Sequence, residues 1–282
     1  MSGLLQKTLL STSAVGISLL ATAPAFGAGL TGATLNGGSY LLYEQQGTST
    51  VLNNDADLAT LLQGDINAPG GNIELSGILG DANAADINNA TTLSGFLDGE
   101  AITVSSLTKS DWLYTPYQGY NSFAEKWFSE AWNHSDTGLQ SWFADQGATN
   151  YTSAFSAFTM FGGYARFSDP NVNYVNQNSN GDVSIGLAGH LNHDSGLQLS
   201  EVVKVNYGGE THFLYGLGEA LASGLVNSKE DDDYGDGVSH KGLYNLTIPG
   251  EPSTDIPEPS TMLGLLAIGG LFGLTKRNKS NA

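Results

Sequence analysis

The 282-residue sequence contains no cysteine. That excludes disulfide staples, thiolate nucleophiles and cysteine-ligated metal centres. Basic residues are also scarce, ten Lys and Arg against 28 Asp and Glu, for a formal charge of −18. The deficit deepens in the body of the chain. Lys7 lies near the N-terminus and Glu258, Lys276, Arg277 and Lys279 lie in the tail, which leaves residues 26–256 with six basic residues against 27 acidic ones, a net of −21. A surface of that sign repels phosphate backbones, so nucleic acid is excluded as a partner, while divalent cations are favoured. Catalytic signatures are missing too. There is no G-x-S-x-G, no H-E-x-x-H, no Walker loop and no dinucleotide-binding glycine motif after a strand. No catalytic residue can be named, which leaves an enzymatic activity without residues to carry it.

Glycine is what the chain has in excess, at 37 residues, with only 13% of residues charged. That composition favours turns and short strands over long helices, in a chain long enough for one large or two small cores.

The two ends differ from the body. Residues 1–25 carry Lys7, an apolar stretch from Leu9 to Ala21, and Ala23-Pro24-Ala25, which fits an A-x-A cleavage site. This is the pattern of a secretory signal peptide cut after Ala25, or alternatively after Gly27, and it implies passage through the Sec translocon. At the other end Met262 to Leu274 is apolar and uncharged, and Lys276, Arg277 and Lys279 follow. The cations would stay on the cytoplasmic side, with Pro257 facing outward. The sixteen residues Ser260 to Thr275 give a helix of about 24 Å against a hydrocarbon core of about 30 Å, further weakened by four glycines. So short a transmembrane segment suits a temporary tether, with a permanent single-pass anchor as the alternative.

Pro257-Glu258-Pro259-Ser260-Thr261, one apolar run and a terminal basic cluster, in that order, resemble the PEP-CTERM sorting signal. The resemblance implies recognition by an exosortase, a membrane-embedded cysteine transpeptidase. Cleavage would fall near Pro257–Pro259, with delivery of the body to the cell surface or extracellular matrix. Three further stretches, Trp112–Tyr114, Ala165–Val172 and Ser184–His190, resemble an uncharacterised cyanobacterial family of PEP-CTERM proteins. That likeness brings no known activity with it.

The body, residues 26–247, reads as an α+β, β-rich fold of antiparallel strands and hairpins around a helical insert at about 108–162. The Pro-rich stretch 248–256 reads as a spacer. Strands are expected at Ser39–Tyr43, Asn72–Leu75, Ala101–Val104 and Leu243–Ile248, with one short helix within Asp55–Leu62. Two hairpins are expected, one around Asn178-Ser179-Asn180-Gly181 and one around Gly208-Gly209. In the insert, two or three short helices are expected. Ser122 and Glu125 form a capping box ahead of Phe123, Trp127 and Ala131, and Asp136 caps a second helix carrying Leu139, Trp142 and Phe143. A third helix near Thr152–Phe161 sets Phe155, Phe158 and Phe161 on one face. Aromatics at that spacing are more often core than a sugar-binding platform.

The candidate metal residues are Asp231, Asp232, Asp233 and Asp236, on a loop with Gly235 and Gly237. Carboxylates on a glycine-containing loop suit calcium, although the twelfth position of an EF-hand reading is Leu243 rather than Glu. No other cofactor is expected. His190-Leu191-Asn192-His193-Asp194 offers zinc-type ligands but no third nitrogen nearby, and Asn176, Asn178, Asn180 and Gly181 read as a plain turn.

These readings define an exported surface or matrix protein with a structural, adhesive or binding role. A polysaccharide hydrolase and a calcium-stabilised matrix module are the alternatives, and exosortase and exopolysaccharide the partners. Replacing Glu258 or Pro259 is expected to leave unprocessed protein in the membrane fraction. Intact mass of the extracellular protein checks the same point, because material still carrying residues 262–282 contradicts cleavage.

Overall fold

The computed structural model describes residues 28–250, apart from 78–85, 192, 194, 226 and 229–240. The first half contains β1 (Thr31–Gly37), β2 (Tyr40–Gln46), β3 (Ser49–Leu52), α1 (Leu58–Leu61), β4 (Asn72–Leu75), β5 (Thr91–Leu97) and β6 (Glu100–Ser105). Four helices follow: α2 (Lys109–Tyr114), α3 (Phe123–Asn133), α4 (Leu139–Asp145) and α5 (Tyr151–Met160). Strands then return as β7 (Asn171–Gln177), β8 (Val183–Gly189), β9 (Val203–Tyr207), β10 (Glu210–Leu214), β11 (Leu221–Ala222), β12 (Asn227–Ser228) and β13 (Gly242–Ile248).

The strands form two sheets, ordered β1-β5-β6-β9-β10 and β11-β13-β8-β7-β4-β2-β3-β12. Neighbours run antiparallel except β12, which lies parallel to β3. Period-two alternation explains how they face each other. In β5, Leu93 and Leu97 turn inward while Thr92, Ser94 and Phe96 do not. Ile102 and Val104 of β6 and Val203 and Val205 of β9 continue that inner surface. They meet Leu42, Ile73, Leu75, Val172, Ile185, Leu187 and Leu246 of the larger sheet in one apolar cluster, so the strands make a sandwich.

Turn chemistry sets the registers. Asp98 (φ 47°) and Gly99 (φ 84°) link β5 to β6, and Gly208 (φ 60°) and Gly209 (φ 78°) link β9 to β10. Two consecutive residues in the left-handed region give the hairpin turn whose twist matches the strands. The β7–β8 hairpin is present as well. Its loop runs from Asn178 to Asp182, and the Asn178 side-chain oxygen accepts from the N–H groups of Asn180 and Asp182 at 2.9 and 3.0 Å. The asparagine turn is therefore a turn. β13 continues to Ile248, and the Gly250 N–H donates to Asp182 at 2.8 Å.

The helical insert differs from the sequence expectation in four details. It holds four α-helices, because α2 forms at Lys109–Tyr114 behind a complete Thr108–Asp111 capping box. At α3 only half of the expected box forms. Ser122 accepts from the Glu125 N–H, but the Glu125 carboxylate turns to the backbone and side-chain nitrogens of Asn121. Asp136 caps nothing: it sits in a 3-10 turn, Ser135–Thr137, and Thr137 Oγ1 accepts from the Leu139 N–H instead. On α5 the buried stripe runs through Ala154 and Phe158, and Phe161 is 82% exposed. A spacing of three drifts around a 3.6-residue helix, so the third phenylalanine leaves the core.

The insert has its own core, an aromatic cluster built on Trp112, Phe123, Trp127, Phe128 and Phe158 and joined to the sheets through Val202 and Phe213. The core reading of these aromatics holds. Trp127 stacks on Phe158 at 5.3 Å and 17°, and meets Trp112 edge-on at 5.5 Å. The two buried indoles differ in their polar handle. Trp112 Nε1 donates to Ser168 Oγ at 2.8 Å, whereas Trp127 Nε1 has no acceptor among the described residues. Both Trp→Phe changes remove the same volume, so Trp112→Phe is expected to cost about 1–3 kcal/mol more than Trp127→Phe. Urea denaturation of the two variants measures the difference, and equal losses would refute the assignment.

Candidate functional site

The side of α3 away from the aromatic core borders an open polar groove. Lys126, Glu130 and Asn133 stand at i, i+4 and i+7, one above the other on a single helix face. Tyr117 and Gln118 come from a tight turn in which Tyr117 and Tyr120 exchange backbone hydrogen bonds. Gln118 (φ 47°) takes the left-handed conformation at the rim. Phe213 and Tyr215 come from the end of β10, and Asn245 and Thr247 from β13. One hollow of about 510 Å³ adjoins a second of about 380 Å³, lined by Tyr120, Asn133 and His134, and Glu130 and Leu217 border both. The result is elongated rather than round.

A cation anchors the groove. Lys126 is 8% exposed, and its ammonium donates to Glu130 Oε1 and to the Tyr215 hydroxyl, each at 2.8 Å. The Tyr215 hydroxyl in turn donates to Glu130 Oε2. Burial, and then the hydrogen bond to the Glu130 carboxylate, hold the Tyr215 proton far more tightly than usual. The Lys126 charge lies 5.3 Å from the Tyr215 ring and 5.8 Å from that of Tyr117. A groove with three tyrosines, amides, a threonine and one neutralised cation can stack and hydrogen-bond a polar ligand.

A second constellation is partly buried, with Asp169 buried and Glu201 and Glu74 half-buried. Residues 167–171 run beside the segment leading into β9. The Val202 N–H donates to the Phe167 carbonyl at 2.9 Å, and the Asn171 N–H to Glu201 Oε2 at 3.0 Å. Asp169 is thereby brought beside Glu201, and β4 adds Glu74 in register with Asn171. Tyr43 OH donates to Glu74 at 3.1 Å. Burial pushes the Asp169 carboxyl up from 3.8 to about 7. Burial, then the charges of Asp169 and Glu74, raise Glu201 well above the usual carboxylate range. Among the described residues no Lys or Arg pairs with Asp169 or Glu201.

Several expected site residues lie outside the described residues. They are Ala23 and Ala25, the sorting residues Pro257, Glu258, Pro259, Ser260 and Thr261, the basic residues Lys276, Arg277 and Lys279, and Asp231, Asp232, Asp233 and Asp236. Among the described residues no helix is long and apolar enough to cross a membrane, and the segment 260–275 is not among them. The rings of His190 and His193 meet edge-on at 4.4 Å, and His193 Nδ1 lies 2.6 Å from Ser195 Oγ. No three His, Asp or Glu side chains among the described residues stand at metal-ligand spacing. Sequence reasoning missed the groove and the buried acids alike. A Lys126–Glu130 pair on a helix of an otherwise acidic body was the available signal for the first, and Asp169 and Asn171, inside the quoted stretch Ala165–Val172, for the second.

Residues 255–279 match the PEP-CTERM protein-sorting motif. The chain thus carries a PEP-CTERM sorting signal, and that motif implies export through a membrane-anchored sorting step toward the cell surface with an exosortase as the sorting partner. No curated protein and no solved structure matches the chain.

The buried acids predict a pH dependence. A carboxyl with a raised folded value keeps a proton that the unfolded chain has already lost, so its contribution to stability is present at low pH and falls as pH rises. For Asp169 the fall spans from about pH 4 to about 7. The melting temperature of chelator-treated protein is expected to drop across that window, and Asp169→Asn to flatten the drop. An unchanged slope in the variant would show that other groups cause it.

Proposed function

We propose that this chain is a non-enzymatic exported protein of the cell surface or extracellular matrix, whose α3 groove binds polysaccharide. The signal-peptide pattern at residues 1–25 fits entry through the Sec translocon, and the sorting motif then takes the body to the compartment where exopolysaccharide lies. The observation that carries the binding role is the elongated groove bordered by Tyr117, Tyr120 and Tyr215, with amide and hydroxyl groups between the rings. Sugar rings present an apolar face for stacking and an equatorial belt of hydroxyls for hydrogen bonds, and this lining offers both. A charge of −21 over residues 26–256 disfavours polyanions, so a neutral glycan is the better ligand.

The same lining argues against cleavage. Glycoside hydrolysis uses two carboxylates on either side of the scissile bond. Among the described groove residues Glu130 is the one carboxylate, and Lys126 and Tyr215 already occupy both of its oxygens.

Tyr120→Ala is expected to weaken retention of the exported protein by neutral polysaccharide about tenfold, or about 1.4 kcal/mol, in affinity electrophoresis, with its melting temperature unchanged. Retention equal to wild type would remove the groove from the binding role. Release of reducing ends from the polymer that disappears in Glu130→Gln would show the protein to be a hydrolase instead.

A further inference from the structure

Besides its side chains, the α3 groove is lined by the free edges of two strands. β13 pairs with β8 along its whole length, Gly242 to Ile248, but on its other side β11 covers Gly242 and Leu243 alone. Residues of an antiparallel strand turn their main-chain groups alternately to one side and the other. Two hydrogen bonds fix the alternation in β13. The Ser223 N–H donates to the Lys241 carbonyl, so Lys241, Leu243, Asn245 and Thr247 face the β11 side. In the β7–β8 hairpin the Asn178 N–H donates to the Asp182 carbonyl, so Val183, Ile185 and Leu187 are the residues of β8 that face β13. Their partners are Ile248, Leu246 and Tyr244, which again leaves Asn245 and Thr247 facing away. Past the end of β11 these two residues each present an N–H and a C=O that have no hydrogen-bond partner among the described residues. β10 is the edge of the smaller sheet. Its turn pairs Tyr207 with Glu210, so Glu210, His212 and Leu214 face β9 while Phe213 faces outward, its N–H donating to the Tyr117 hydroxyl at 3.4 Å. Phe213, Asn245 and Thr247 border the same hollow.

A free strand edge offers donors and acceptors in one plane, the complement of a secondary amide. The hydroxyls of a plain sugar meet such an edge one group at a time. An acetamido group brings an N–H and a C=O together, as an added strand would, and carries a methyl group that needs an apolar niche. Phe213, Leu214 and Leu217 border the hollow and supply that niche. The side-chain oxygen of Asn245 already accepts from the Tyr174 hydroxyl at 2.8 Å, so at this residue recognition falls to the main chain. Charge selects in the same direction. Glu130 neutralises Lys126, which leaves no surplus positive charge for a sugar acid. We propose that the groove is specific for N-acetylated neutral sugars, whose acetamido group pairs with the main-chain edge of β13 at Asn245 and Thr247 while the tyrosines stack on the rings. This specificity rests on the polysaccharide-binding role and names the class of sugar that the role leaves open.

The test is calorimetric titration of the exported protein with chitin and cellulose oligosaccharides of equal length. The two share one linkage and differ in an acetamido group that replaces a ring hydroxyl. The chitin oligosaccharide is expected to bind about tenfold more tightly. Thr247→Pro removes the N–H that faces the groove and spares the ladder to β8, and the extended backbone of Leu246 suits a following proline. It is expected to abolish most of the preference with affinity for the cellulose oligosaccharide unchanged. Thr247→Val keeps the N–H and loses the hydroxyl, so it is expected to keep the preference. Should Thr247→Pro fail to fold, which its melting curve shows, the wild-type comparison and Thr247→Val still decide. Equal affinity for the two oligosaccharides in the wild-type protein overturns the acetamido specificity and leaves the polysaccharide-binding role standing. A preference that survives in folded Thr247→Pro but disappears in Thr247→Val overturns the main-chain assignment. Binding of neither oligosaccharide nor any neutral polymer overturns the specificity together with the role. Tyr120→Ala is expected to weaken both oligosaccharides alike, because stacking does not depend on the acetamido group.

Discussion

The pairing of β4 with β7 is the constraint on which the rest of the molecule depends. Through Ile73↔Val172 and Glu74↔Asn171 it sends one set of side chains into the sandwich core and the other onto an enclosed polar face. A slip of one residue would exchange the two sets, burying Glu74 and Asn171 against Leu93 and Val205 and turning Ile73 outward. Register here is thus held by the cost of an acid in hydrocarbon, which exceeds the gain from any single apolar contact. β7 carries a bulge between Val172 and Tyr174, which lets the strand satisfy both partners, β4 and β8, along its length.

The helical insert is attached by a different kind of contact. Its aromatic cluster takes in Val202 and Phe213, residues flanking and ending the β9–β10 hairpin, and Phe123 stacks on Phe213 at 4.3 Å and 19°. Rings bring large buried areas at low entropic cost, so a few such contacts can hold four short helices that would be marginal alone. The consequence for the surface is direct. Once Phe123, Trp127 and Ala131 face the core, Lys126, Glu130 and Asn133 come to rest where α3 meets β10 and β13. The groove is a by-product of how the insert docks.

The strands and turns were largely legible. Runs such as Asn72–Leu75 and Leu243–Ile248 alternate clearly, and Gly208-Gly209 and the Asn178–Gly181 loop mark hairpins with a mechanism. β1, β3 and β5 were not read out, because glycine, threonine and serine interrupt their apolar alternation and only cross-strand pairing restores it. The helix start was legible where a side chain acts on its own backbone, as at Ser122, whereas the Thr108 cap of α2 was not read. The expected cap failed at Asp136, where a glycine in the left-handed conformation, Gly138 at φ 70°, took over the start of the helix. Phe161 was misplaced on the core face for a similar reason: local periodicity cannot see where the packing partner ends.

Export and sorting were determined by sequence alone, because those signals are read by other machinery as short linear strings. Motif, apolar run and basic cluster work by order along the chain. Local alternation and turn residues likewise determined that the body is rich in antiparallel strands. Only the tertiary structure decided which chemistry meets where. Glu74, Asp169 and Glu201 come from three separated segments, and Lys126 reaches Tyr215 across 89 positions. Such meetings depend on strand order and on the docking of one layer against another. Both follow from the summed burial of many residues, and no short window of sequence contains that sum.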